Sequence, residues 1–168
     1  ERIGVPADRV VIVDRSWRGG LDRIPVEHLR RRAAEIDTDG PAYVIFTSGS
    51  TGTQRGVEVT HRNLAASTFA RDVWYDSSPD RFLVTSGIGF DSSIVGLFWP
   101  LVTGGTVVMP DDDTVRDVDR LGAMVEHLDV THTLMVPSLY RALLQRAGSR
   151  LGSLAVAIVA GEACPRGV

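Results

Sequence analysis

The sequence predicts an α/β fold: a mainly parallel sheet with helices on both faces, in a Rossmann-like three-layer arrangement. Three observations carry this. Short β-branched or apolar runs recur along the 168 residues at near-regular spacing. Longer segments with helical periodicity lie between them. The short runs are apolar throughout rather than alternating, as strands buried on both sides are. Such alternation implies right-handed crossovers around one sheet. Residues 1–168 are expected to form a single α/β subdomain, and the start at Glu1 rather than Met suggests an excised piece of something longer.

Residues 9–14 (RVVIVD) read as a buried strand ended by Asp14. Residues 15–40 form a connection, with Gly19, Gly20 and Pro25, a short helical pattern over 26–35 and the turn-forming Asp37, Asp39 and Gly40. Residues 42–46 (AYVIF) are a second buried strand, and 56–59 (GVEV) are short and extended. Thr60 is a candidate N-cap for a helix over 61–75, with Leu64, Phe69, Val73 and Trp74 on its apolar side. Residues 81–86 (RFLVTS) are a strand. Asp91 is a candidate cap for a helix over 91–102, apolar almost all round and therefore buried, with Pro100 kinking or shortening it. Gly104 and Gly105 turn the chain into a strand at 106–109, and Asp111, Asp112 and Asp113 read as a loop. Helical spacing at 114–128, a strand at 131–136, a helix opened by Pro137 and running to about 147, and a last strand at 154–160 complete the pattern.

Composition limits the partners. A net charge of −3 argues against nucleic-acid binding. Arg30, Arg31 and Arg32 are flanked by Glu27 and Glu35 and read as a solvated helix face. No run reaches the roughly 18 apolar residues of a membrane span. Cys164 is the sole cysteine, so no internal disulfide forms, and a reducing, cytoplasmic setting is expected. It reads as a buried or incidental thiol. All 18 basic residues are Arg and none is Lys, so no lysine-dependent mechanism is complete within this chain.

In parallel α/β sheets, ligands sit beyond the carboxyl ends of the strands. Four informative segments are expected on that rim: 47–56, 89–93, 136–138 and 160–163. The first holds Thr47, Ser48, Gly49, Ser50, Thr51 and Gly52, six small residues in a row, followed by Gln54, Arg55 and Gly56. Glycine frees backbone N–H groups to face an anion, the hydroxyls add donors, and Arg55 adds a fixed charge with a fork of donors. The combination suits a polyphosphate; a surface turn is the plainer alternative. It is not the Walker loop, which needs Gly-Lys-Ser/Thr leading into a helix. Residues 87–92 (GIGFDS) lack the third glycine of a dinucleotide fingerprint.

The stretch AYVIFTSGSTGTQRGVEVTHRNL resembles the phosphate-loop signature of the adenylate-forming superfamily: acyl-CoA synthetases, luciferases and the adenylation domains of nonribosomal peptide synthetases. Gln54 and Arg55 stand where the family usually has Pro and Lys, which keeps the charge and alters its reach. Two further stretches follow in order. GFDSSIVGLFWPLVTGGTVVM resembles the aromatic–Phe–Asp–x–Ser segment of peptide-synthetase adenylation domains, and AIVAGEACP their Gly-Gly-Glu-Ala segment. The resemblance runs from about residue 10 to the end and covers the N-terminal part of such a domain.

The resemblance implies ATP and Mg2+ as cofactors, with the metal ligand and the catalytic Lys outside this chain, so the chain alone is expected to be inactive. It implies phosphate contacts from Thr47, Ser48, Gly49, Ser50, Thr51, Gly52 and Arg55, and adenine contacts from Gly161, Glu162 and Ala163. It implies that Asp91 holds a substrate ammonium, beside pocket positions Phe90, Ser92, Val95, Ser138, Ile158 and Ala160. An ammonium beside a carboxylate gains a charge-assisted hydrogen bond, whereas a fatty acid would leave Asp91 unpaired. Core packing is the plainer reading of each pocket position taken alone. The implied partners are an amino acid, the rest of the domain, a carrier protein with its phosphopantetheine thiol, and a small helper protein. Three alternatives stay open: a ligase for a β-amino or aryl acid, an acyl-CoA synthetase, and a degenerate domain that only docks a carrier or helper.

Overall fold

A computed structural model of the chain describes residues 26–48 and 54–164. The predicted strand at 9–14 lies outside them. The chain divides into two compact units, residues 1–37 and 38–168. In the first, helix α1 (Val26–Ala34) is exposed at each residue whose side chain is described, and Glu27 pairs with Arg30 at 3.6 Å. The arginine run is therefore a solvated face, as predicted.

The second unit holds two sheets. Strands β1 (Pro41–Ser48) and β2 (Gln54–Thr60) form an antiparallel hairpin. Strands β3 (Arg81–Val84), β4 (Thr106–Val108), β5 (His132–Met135) and β6 (Val156–Val159) form a parallel sheet in the order β4-β3-β5-β6. This corrects the placement of residues 42–46 in the parallel sheet. A short apolar run reads alike in either setting, and only its partner decides.

Helices α2 (His61–Trp74), α3 (Asp91–Thr103), α4 (Asp112–Arg116), α5 (Val118–His127) and α6 (Pro137–Ala147) join the strands. Period-2 alternation along β3 sends Phe82 and Val84 to one face and Leu83 to the other. Phe82 and Val84 meet Val95 and Trp99 of α3. Leu83 meets Leu121 and Val125 of α5 and Leu143 of α6. Both faces are thus covered by helices, and Phe82, Leu83 and Val84 are all buried. Trp99, fully buried, meets the Tyr75 ring at a tilt, 5.3 Å between centroids, and the His132 ring edge-on at 5.3 Å. Its indole Nε1 donates to Asp72 Oδ1 at 2.7 Å, which ties α3 to α2.

Local chemistry explains the helix ends. Thr60 caps α2 in a capping box with Asn63, as predicted in part from Thr60 alone. Pro137 opens α6 at its first turn. Three expectations are corrected. Asp111 is not loop but the N-cap of α4, accepting from the Thr114 amide at 2.9 Å. The helix expected at 114–128 is broken at Asp117, whose carboxylate caps α5 by accepting from Asp119 and Arg120 amides. Helix α3 is not wholly buried: Leu101 and Val102 are exposed, while Ser93, Val95, Gly96, Trp99 and Pro100 are buried. The apolar residues Val73 (84% exposed) and Trp74 (83% exposed) of α2 likewise meet no core.

Gly96 sits where α3 crosses β3. A Cβ there would lie 2.6 Å from Val84 Cγ2 and 2.9 Å from Phe82 Cε1. Gly96→Ala should therefore force α3 off the sheet and cost about 1–3 kcal/mol; a urea midpoint equal to wild type would show that the contact relaxes freely. His132 is buried, and desolvation pushes its imidazole below the ordinary value, partly opposed by the bond to the Ser77 carbonyl. The unfolded chain binds its proton near pH ~6.5 while the folded chain resists it, so this contribution to stability is present above that pH and lost as pH falls. The drop in urea midpoint between pH 7.5 and 5.5 should shrink in His132→Gln.

Candidate functional site

Strand order creates the site. From β3 the chain leaves through α3 to one neighbour, β4. From β5 it leaves through α6 to the opposite neighbour, β6. Between strands whose connections diverge, the carboxyl ends open a crevice. A cleft of about 830 Å³ lies there. Its floor is Thr85, Ser86 and Gly87 after β3, with Leu134 and Val136 of the β5 segment. Ala160 and Gly161, after β6, form one rim. The N-terminal turns of α3 form a wall with Phe90, Asp91, Ser92 and Val95. Tyr43 of β1 and Ser67 and Arg71 of α2 form the other wall.

The turn into α3 is held by backbone and hydroxyl bonds. The Phe90 amide donates to the Gly87 carbonyl at 3.0 Å, and Ser93 Oγ donates to the Phe90 carbonyl at 2.7 Å. Phe90 is the N-cap residue and has no side-chain cap. The capping role expected for Asp91 is therefore corrected: Asp91 is the first helical residue, exposed, with no hydrogen-bond or ion-pair partner among the described residues. Its charge sits favourably at a helix N-terminus. Ser92 Oγ donates to Ser86 Oγ at 2.8 Å, fixing a hydroxyl pair on the cleft floor.

The predicted pocket residues separate into two groups. Phe90, Asp91, Ser92, Val95 and Ala160 line the cleft together. Ile158 does not line it and packs behind, against the cluster of Phe82, Val84, Val95, Trp99 and Leu134. Ser138 also stands off the lining. Its amide and hydroxyl both donate to the Glu162 carboxylate, at 3.2 and 3.1 Å. That clip fastens the 160–163 segment to the start of α6. Gly161 lines the cleft with φ at 95°, a left-handed conformation that suits glycine. Ala163 and Cys164 are exposed beyond it; of the two readings of Cys164, buried or incidental, the first does not hold.

Of the phosphate-loop residues, Gly49, Ser50, Thr51 and Gly52 lie outside the described residues, as does the side chain of Ser48. Thr47 and Arg55 are cross-strand partners beside the connection of the hairpin, and Thr47 Oγ1 donates to the Arg55 carbonyl at 3.4 Å. Register then places Arg55. Pairs Tyr43↔Val59, Ile45↔Val57 and Thr47↔Arg55 share one face of the hairpin. That face carries Tyr43, which lines the cleft. Both described loop residues thus sit on the cleft-side face.

Sequence reasoning missed Tyr43, Ser67, Arg71 and Ser86. Tyr43 was hidden inside an apolar run, and Arg71 on a helix that defaults to solvent. Burial raises the Tyr43 phenol above its ordinary value, the Asp91 charge adds to this, and Arg71 opposes it. Burial also pulls the Arg71 guanidinium down, with Tyr75 and Tyr43 working the other way. Asp91, Tyr43 and Arg71 therefore share one electrostatic neighbourhood. Among the described residues no group of three or more His, Cys, Asp or Glu converges as a metal-ligand set. No helix among them is long and apolar enough to cross a membrane.

Comparison with known proteins agrees with this geometry. Residues 5–168 match the model of a family described as AMP-binding enzyme. The chain is 34% identical over 79% of its length to a dimodular nonribosomal peptide synthase of Bacillus subtilis (strain 168), and spans 6% of that relative's length. It resembles the crystal structure of the nonribosomal peptide synthetase FmoA3 with a TM-score of 0.68 and 35% identity, over 76% of this chain and 14% of that one. It resembles the N-terminal subdomain of Klebsiella oxytoca NpsA, solved with 3-hydroxybenzoyl-AMSN, with a TM-score of 0.66 and 25% identity, over 77% of this chain and 33% of that one. A parallel crevice with a hydroxyl- and arginine-bearing hairpin at its edge and a family match over nearly the whole length lead to one conclusion: the chain belongs to the AMP-binding enzyme family.

Proposed function

We propose that this chain is the N-terminal part of an ATP-dependent, AMP-forming ligase that activates an amino acid, and that residues 1–168 serve in it as one α/β subdomain. The observation that carries the amino-acid reading is Asp91, a carboxylate on the cleft wall without a partner among the described residues. An unpaired carboxylate facing a binding cleft is best satisfied by a substrate ammonium. The FmoA3 relative has also been solved with α-methyl-L-serine-AMP, an aminoacyl adenylate, which supports this reading.

The chemistry needs little from the protein beyond position and charge. The substrate carboxylate is already a nucleophile. One of its oxygens attacks the α-phosphorus of ATP, the bond to the bridging oxygen breaks, and pyrophosphate leaves with that electron pair. No general base is required. Asp91 anchors the ammonium, Ser92 and Val95 shape the wall beside it, and Phe90 stands at the mouth. Ile158 supports the wall from behind, and Ser138 acts through Glu162 to hold the turn at 160–163. Gly161, Glu162 and Ala163 are assigned to the adenine. Thr47, Ser48, Gly49, Ser50, Thr51, Gly52 and Arg55 are assigned to the β- and γ-phosphates. Mg2+ would neutralise phosphate charge when bound, with its ligand outside this chain. In the second half-reaction, a carrier-protein phosphopantetheine thiol attacks the acyl carbonyl and AMP leaves. The peptide-synthetase relatives support a carrier as partner. No observation favours a helper protein.

The aryl-acid reading is the strongest rival, because NpsA was solved with an aryl adenylate mimic. Asp91 separates the two. In the full-length enzyme, Asp91→Ala should lower amino-acid-dependent ATP–pyrophosphate exchange by about 10- to 100-fold, the loss of one charged hydrogen bond. Full activity in that variant would sink the amino-acid reading in favour of an aryl or fatty acid. Arg55→Ala should raise the Michaelis constant for ATP by about tenfold while leaving that for the amino acid unchanged. An unchanged ATP constant would mean that Arg55 only faces solvent.

A further inference from the structure

The cleft carries two opposite charges that do not neutralise each other. Arg71 of α2 and Asp91 of α3 line the cleft from different helices, and neither forms an ion pair among the described residues. Several other described arginines do pair with a carboxylate. Arg62 pairs with Asp39, Arg81 with Asp80, Arg120 with Asp117, Arg146 with Asp119, and Arg150 with Glu126. Those pairs are on the surface, where partnership is worth little. Arg71 is partly buried on the cleft wall, and among the described residues no carboxylate pairs with it.

Its position is nevertheless fixed. Nη1 donates to the Ser67 carbonyl one turn back on α2, which leaves the rest of the guanidinium fork for other acceptors. Burial disfavours its charge. A guanidinium drawn out of water without a counter-charge is costly, and the cost is recovered when an anion arrives. A planar fork fits a carboxylate bidentately. Tyr43 and Ser67, on the same wall, add hydroxyls.

We propose that the cleft selects an amino acid with an acidic side chain, its ammonium on Asp91 and its second carboxylate on Arg71. This rests on the adenylation reading above and names the substrate class within it. The carboxylate held by Arg71 is the one that does not react. Pairing with a guanidinium stabilises a carboxylate in the ground state and lowers its nucleophilicity, so the reacting carboxylate is the one left outside the fork. A neutral side chain of the same shape would leave Arg71 desolvated and unpaired, which is how a polar pocket rejects an analogue.

The test is ATP–pyrophosphate exchange on the full-length enzyme with aspartate, glutamate, asparagine, glutamine, alanine and leucine, together with benzoate and a fatty acid. The expected result is an acid preferred over its own amide by about tenfold or more in kcat/KM. Arg71→Gln should collapse that preference with the ATP Michaelis constant unchanged, and Arg71→Lys should keep part of it. Preference for a neutral amino acid overturns the proposal and leaves the adenylation reading standing. So does an acid preference that survives Arg71→Gln. Exchange supported only by benzoate or the fatty acid overturns both the proposal and the amino-acid reading it rests on. Should Arg71→Gln fail to fold, the acid-to-amide ratio of the wild type and of Arg71→Lys decides the matter.

Discussion

Strands β3 and β5 run side by side with helices on both faces, so their backbone and polar side chains must be satisfied without water. The ladder pairs Phe82 with His132, Leu83 with Thr133 and Val84 with Leu134. The hydroxyls of this region are spent on the neighbouring strand: Thr133 Oγ1 donates to the Leu83 carbonyl at 3.1 Å, and Thr85 Oγ1 to the Leu134 carbonyl at 3.2 Å. Thr131 Oγ1 accepts from the Asp80 and Arg81 amides at 3.2 and 3.1 Å. A buried hydroxyl is tolerated only when bonded, and these are. This strand pair fixes the sheet order, and the order makes α3 and α6 leave in opposite directions. The crevice follows from that divergence.

The electrostatic character of the crevice comes from how its walls are made. Asp91 is held at the first turn of α3 by a turn whose bonds are supplied by Gly87, Phe90 and Ser93. Arg71 is held on α2, and α2 is tied to α3 by the bond from Trp99 to Asp72. Neither charged residue depends on the other for its position. The walls therefore keep opposite charges apart, where a flexible pair would collapse into an ion pair and close the site.

The strands were legible because each is an apolar run between polar or glycine-rich breaks, and β3, β5 and β6 fall within the predicted spans. The helix starts at Thr60 and Pro137 were legible from their capping chemistry. The hairpin was not, since the run at 42–46 carries no mark of its partner's direction. The break at Asp117 had a signal in the N-cap preference of aspartate, masked by helical spacing that continues across it. Val73 and Trp74 show a different limit: an apolar helix face says what would be buried, not what buries it. Within the site, the motif residues pointed to Asp91 and its neighbours on α3. Arg71 belongs to no motif, Tyr43 lies in the quoted phosphate-loop stretch without being among its loop residues, and both reach the cleft only through the packing of α2 and the hairpin beside the sheet.

The hairpin register also bears on how this segment can change over evolutionary time. Tyr43, Thr47 and Arg55 share a face because the ladder between them is unbroken from Tyr43 onward. Gly56 helps to keep it so, for a Cβ there would come within 3.0 Å of Val44 Cγ1 and 3.4 Å of the Phe46 ring. Strands have a period of two, so losing one residue from either arm inverts every side chain beyond it. Arg55 would then lie on the opposite face of the hairpin from Tyr43 although the hairpin kept its hydrogen bonds. Substitutions such as Gln54 for proline leave this phase intact, whereas single-residue insertions or deletions within the arms do not. At positions such as 54 the segment tolerates a change of residue, but its parity is locked.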